Sequence, residues 1–145
     1  MNSRYYKSTI GGELQDAKRA LIEIDTIAVD TTLTIADSGA EVNVATDAIT
    51  LTLPDITSDN IGMVFLFRNT GADGAVALKL SPAATDGING TVVNATADSV
   101  ASGVVNKDIT NTKATANNGD YIVLVAGALN KWFITGGVGI WASEA

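Results

Sequence analysis

Glu41-Val42-Asn43-Val44 and, just beyond it, Ile49-Thr50-Leu51-Thr52-Leu53-Pro54 carry the strictest alternation in the chain. Apolar and polar side chains trade places at every step, which is the period of a strand with one face buried and one face wet. Pro54 closes the second run, because proline has no N–H to give a ladder. Working outward, Leu33 and Ile35 alternate with Thr32 and Thr34, and Val76, Leu78 and Leu80 alternate with Ala77 and Lys79. Met63 to Phe67 and Tyr121 to Val125 are apolar on both faces, so they read as central strands. A last strand is expected over Lys131 to Thr135. The stretch from Thr91 to Thr115 is weakly patterned and reads as loops or edge strands.

Turn chemistry separates these runs at short intervals. Asp37-Ser38-Gly39 makes a tight connection, Asp47 breaks the chain between two strands, and Gly71-Ala72-Asp73-Gly74 reads as a hairpin loop. Ser81-Pro82 and Asp86-Gly87-Ile88-Asn89-Gly90 read as one longer loop. Asn117-Asn118-Gly119 and Leu129-Asn130-Lys131 flank the Tyr121 strand. Many short strands at this spacing define the expected class: all-β, an antiparallel, jelly-roll-like β-sandwich. Residues 29–145 form that domain. Residues 1–28 form an arm and a lead-in strand, and the arm is extended or partly helical. Its Leu14, Ala17 and Leu21 recur at helical spacing, although two isolated turns of helix are marginal in water.

Composition narrows the function. The 145 residues include no Cys and no His, which removes thiolate nucleophiles, zinc fingers, disulfides and every Ser–His or Cys–His pair. Charged residues make up 17 %, against about 25 % in an average soluble domain. Residues 1–20 carry a net charge of +2 and residues 21–145 a net −9. An acidic body of this kind disfavours nucleic acid, whose phosphates need clustered Lys and Arg. No run of eighteen apolar residues is present, so neither a membrane-spanning helix nor a secretory leader is expected. The basic head on the acidic body reads as an arm that docks on something. Within it Arg4, Tyr5, Tyr6 and Lys7 form a compact cluster of the residue types that anchor interfaces.

Three stretches offer candidate chemistry. Ile35-Ala36-Asp37-Ser38-Gly39-Ala40 matches the active-site loop of aspartic proteases, where two carboxylates share a proton, and a homodimer would supply both from Asp37. The same residues also make a good turn between strands. Asp86-Gly87-Ile88-Asn89-Gly90 offers oxygen ligands but lacks the closing Glu of a calcium loop, so no metal and no cofactor is expected. Trp132, Phe133 and Trp141 read as core or subunit-interface packing.

Thr34-Ile35-Ala36-Asp37-Ser38-Gly39, Thr50-Leu51-Thr52-Leu53-Pro54 and Gly62-Met63-Val64-Phe65-Leu66-Phe67-Arg68-Asn69 together resemble a β-module of tailed-bacteriophage virion proteins. Asp86 to Gly90, Gly119 to Val125 and Lys131-Trp132-Phe133-Ile134 fit the same module, so the resemblance covers roughly residues 30–145. The module occurs in capsid decoration (cement) proteins and in tail-fibre or spike proteins. One module behind a short arm resembles the decoration class. The resemblance implies a non-enzymatic structural protein, made in the bacterial host cytoplasm and sited on the outer surface of the mature capsid. It implies a homo-oligomer, a trimer at three-fold positions, with the phage major capsid protein as partner. Arg4, Tyr5, Tyr6 and Lys7 are our assignment for the capsid contact, since no family motif matches the arm. The alternatives are a fibre or spike head module binding a host glycan or receptor and, more remotely, the dimeric protease.

Overall fold

The computed structural model describes residues 22–94 and 98–145. The chain climbs as a flattened coil, crossing between two sheets at almost every step. Strand β1 (Ile24–Ile27) lies in the first sheet and β2 (Thr31–Thr32) in the second. Strand β3 (Glu41–Val44) returns to the first, β4 (Ile49–Thr52) to the second, and β5 (Val64–Asn69) and β6 (Leu78–Ser81) repeat the step. The coil then gives way to local pairing. Strands β7 (Gly87–Val92) and β8 (Ser99–Val105) form an antiparallel pair in the first sheet, and β9 (Ile109–Asn111) crosses to the second. Strands β10 (Tyr121–Ala128) and β11 (Lys131–Val138) form a hairpin in the first sheet, and β12 (Trp141–Ser143) ends in the second. The sheet orders are β1-β3-β5-β10-β11-β7-β8 and β12-β9-β6-β4-β2.

The all-β sandwich expected from the alternation is what the chain forms. The strand pairing within it is mixed. Ladders β1/β3, β3/β5, β2/β4, β4/β6 and β7/β11 are parallel, and the others are antiparallel. Parallel neighbours need a crossover, ordinarily a helix. In the first four of these ladders the crossover is a strand of the opposite sheet, while β7 reaches β11 through β8, β9 and β10. Alternation cannot tell a hairpin from such an arch, because both point every second side chain inward. For the same reason the Gly71 to Gly74 turn is an arch from β5 to β6 across the sandwich and not a hairpin loop.

Register places the inward rows against each other. In the first sheet Val42 pairs with Phe67 and Phe67 with Ile122, while Phe65 pairs with Leu124 and Ala126 with Trp132. In the second, Leu51, Leu80 and Ile109 form one row, and Ile49, Leu78, Asn111 and Trp141 the next. These side chains form one core, with Trp132 and Trp141 almost wholly buried. Strands β5 and β10 are the third and fourth of seven, as their two-sided apolarity predicts.

A polar clasp crosses this core. Asn69, at the end of β5, donates from Nδ2 to Asn111 Oδ1 (2.8 Å) and to Val76 O (3.0 Å), and its Oδ1 accepts Gly71 N–H. Asn111 then donates to Asp120 Oδ2 (3.0 Å) and to Ile140 O, and the same Asp120 oxygen accepts Asn117 N–H. All three side chains are buried. Gly139 lies against the Asp120 carboxyl at φ +107°, and a methyl there would sit 2.4 Å from its Cγ. At the same end of the sandwich Lys113 pairs with Asp47. That contact, then the N–H of Ala77, holds the Asp47 carboxyl below its ordinary value.

Two further expectations change. The strand read through Ile35 stops at Thr32, and a 3-10 turn covers Ile35–Asp37. Asp37 Oδ2 accepts both the N–H (2.7 Å) and the Oγ1 hydroxyl (2.9 Å) of Thr34, so Ile35 swings out to solvent. Asp86 to Gly90 is the lead-in to β7 and part of it, because Asp86 is buried as an acceptor. It takes Ile56 N–H at 2.9 Å and Asn130 Nδ2 at 3.1 Å. Between Thr91 and Thr115 the chain forms two strands, of which β8 lies at the edge of the first sheet and β9 lies inside the second, between β12 and β6. Removing the middle of the clasp takes one buried hydrogen-bond partner each from Asn69 Nδ2, Asp120 Oδ2 and Ile140 O, so Asn111→Ala should lower the unfolding free energy by about 2–4 kcal/mol. A denaturant titration followed by Trp132 and Trp141 fluorescence measures it.

Candidate interaction surface

The outer faces of the two sheets differ in chemistry. On the second sheet the outward rows are Thr32, Thr52 and Ser81, then Thr50, Lys79, Thr110 and Ala142. Short hydroxylated side chains alternate there with the Leu51 and Leu80 rows that face in. A shallow pocket of about 220 Å³ lies over this face, where Lys79 meets Asp108 at 3.3 Å near Thr110 and Glu144.

On the first sheet two of the outward rows are largely apolar. One row runs Ile24, Glu41, Leu66, Val123 and Gly136 across β1, β3, β5, β10 and β11. The next runs Val64, Val125, Phe133, Asn89 and Ser102. A solvated outer face should be polar at these positions. Instead Ile24 is 59 % exposed, Phe133 37 % and Val64 36 %. The Phe133 ring lies over Gly127, where a methyl would come within 2.4 Å of its Cδ2. The third row, Thr26, Asn43, Arg68, Tyr121 and Val138, is a polar border. Arg68 Nε donates to Glu41 Oε1 at 2.7 Å, Nη1 donates to Gly119 O at 3.1 Å, and the guanidinium lies 5.0 Å above the Tyr121 ring. At the β7–β8 end further valines, Val93, Val104 and Val105, are exposed.

Within the apolar face a groove of about 190 Å³ opens among Ile22, Gly39, Ala40, Glu41, Val64, Leu66 and Val123. Sequence reading singled out the two strands that supply Val64, Leu66, Val123 and Val125 but used their two-sided apolarity only to place them centrally. The same two-sided apolarity also gives the sheet an apolar outer face.

The residues expected to carry function fall in different places. Arg4, Tyr5, Tyr6 and Lys7 lie outside the described residues. Asp37 is engaged with Thr34 as described. Trp132 and Trp141 are core residues, and Phe133, on the opposite face of β11 from Trp132, belongs to the outer surface. Among the described residues no three Asp or Glu side chains come together as a metal site. No helix among them is long and apolar enough to cross a membrane. No protein-family model matches the chain, and no curated protein matches it in sequence.

Two pairs of substitutions check this geometry. Trp132→Ala should cost about 3–5 kcal/mol, whereas its neighbour Phe133→Ser should cost about 1 kcal/mol or less. Equal losses in a urea titration would move Phe133 into the core. At the turn, Asp37→Ala should cost about 1 kcal/mol through the lost acceptor, and Asp37→Asn less, since its amide oxygen still accepts. Equal costs would mean that the negative charge, and not the acceptor, holds the turn.

Proposed function

We propose that this chain is a non-enzymatic structural protein of a tailed-phage virion, which decorates the outer surface of the mature capsid and stabilises it. It acts as a homotrimer at three-fold positions, with the major capsid protein as partner. Arg4, Tyr5, Tyr6 and Lys7 make the capsid contact.

The observation that carries this reading is the apolar outer face of the seven-stranded sheet. Two adjacent rows of aliphatic and aromatic side chains face outward from β1, β5, β10 and β11. A sandwich with such a face and with exposed valines at its β7–β8 end has surface suited to assembly. The resemblance of its turns and strand ends to the phage β-module points the same way. The buried carboxylates support a structural role too, since Asp86 and Asp120 accept hydrogen bonds that hold loops and strands in place. Three copies would each present one basic-aromatic cluster, and linked weak contacts gain through effective concentration.

The test is co-sedimentation of the full chain with expanded heads assembled without it. Saturable binding is expected, together with a higher temperature of head disruption. Deleting residues 1–12 should abolish the binding while leaving the circular dichroism of the sandwich unchanged. A fibre or spike module would ignore the heads, and so would a protease. Binding that survives the deletion would remove Arg4, Tyr5, Tyr6 and Lys7 from the contact.

A further inference from the structure

Strand direction gathers the connections β2–β3, β4–β5, β6–β7, β8–β9 and β10–β11 at one end of the sandwich. Strands β1, β3, β5, β11 and β7 run the same way, so their first residues share that end with the last residues of β10 and β8. Turns are ordinarily built from Gly, Pro, Asn, Asp and Ser. At this end Ile35, Ile61, Leu129 and Val105 are exposed instead. Hydrogen bonds between the connections hold these tips. Val64 N–H donates to Ser38 Oγ (3.0 Å) and Gly39 N–H to Val64 O (2.7 Å), which seats the Ile35 turn on the start of β5. Gly62 N–H donates to Ala126 O (2.8 Å) and brings the Ile61 loop to the end of β10, where the Leu129 turn begins. Asp86 joins the rest. Its carboxylate accepts Ile56 N–H and Asn130 Nδ2, and its backbone oxygen accepts the N–H of Asn106 at 2.9 Å, just past Val105. Ile61 precedes β5 and Val105 ends β8, four strands further on, so the row is about 19 Å long.

We propose that this row docks a protein surface that is apolar at its centre and carries Lys or Arg around it. Resting on the capsid reading, this makes the major capsid protein the partner and turns this end of the sandwich toward the head. Charge selects the partner. Asp37, Asp55, Asp59 and Asp108 lie in the same connections, with Glu144 after β12, against Lys107 and Lys131. Exposed aliphatic loop tips alone would suit a membrane, but an acidic border repels the phosphates of anionic lipid and of nucleic acid. It equally repels the same row on a second copy. A basic protein surface satisfies both the tips and the acids. The tips are held before any partner arrives, so they lose little freedom on binding and a short row still contributes.

The test uses the full chain and expanded heads assembled without it. Ile61→Asp with Leu129→Asp should weaken head binding about ten-fold or more, with the circular dichroism and the solution mass of the chain unchanged. Val29→Asp, exposed at the opposite end, should bind as the wild type does. Asp59→Lys, on an exposed turn, should weaken binding several-fold, because it replaces attraction to a basic partner with repulsion. Wild-type binding by the Ile61→Asp, Leu129→Asp chain would overturn the proposal and leave the capsid reading standing. So would equal or tighter binding by Asp59→Lys, or a loss in Val29→Asp as large as that at the row. Vesicles of phosphatidylcholine and phosphatidylglycerol should not sediment the chain, and sedimentation that Ile61→Asp with Leu129→Asp removes would give the row to a membrane and overturn the proposal. A wild-type chain that ignores the heads overturns the capsid reading, and this partner with it.

Discussion

The Asn69–Asn111–Asp120 clasp fixes how the two sheets face each other. Aliphatic rows on their own tolerate sliding, because dispersion and burial are indifferent to which leucine meets which valine. A buried amide is not indifferent. Asn69 sits at the inner end of β5 and Asn111 in the inner row of the second sheet between Leu78 and Trp141, and a displacement of one residue would leave both unpaired in the core. Asp120 completes the chain and ties the start of β10 to both, while Asn69 N–H donates to Asp120 O. The coil of β1 to β6 is thereby joined to the later hairpins at one end of the sandwich.

Much of this was legible in the residues. Glu41 to Val44 and Ile49 to Leu53 appear as strands at the expected positions, as do the two central strands. The strict period of two at these sites leaves little choice about which face turns inward. What was not legible was strand direction. Val44 and Ile49 are separated by four residues, a length that serves a hairpin or an arch equally, and a positive φ at Ala48 serves either. The choice depends on partners far along the chain, such as Phe67 for Val42. Asp37 and Asp86 were hidden for a related reason. Their role is to accept hydrogen bonds, from Thr34 next door and from Ile56 and Asn130 far away, and a turn-forming composition does not reveal the distant donors.

The candidate surface was half legible. The apolarity of Met63–Phe67 and Tyr121–Val125 on both faces was visible, but an outer face covered by a neighbouring layer and one left for a partner give the same pattern. In the structure the inner rows meet the second sheet, while among the described residues the outer rows carry the Phe133 ring over Gly127, the Arg68–Glu41 ion pair and the Arg68–Tyr121 border, with Ile24, Val64 and Phe133 exposed. On the proposed function, the contrast with the threonine-lined face of the second sheet favours the seven-stranded sheet as the side from which an assembly would be built.

On the proposed reading that assembly is a homotrimer, and its subunit count is the most direct check. Absolute mass from light scattering on a sizing column, taken over a wide concentration range, should settle at three times the 14.9 kDa of one chain. A single species of 14.9 kDa at every concentration would contradict the account.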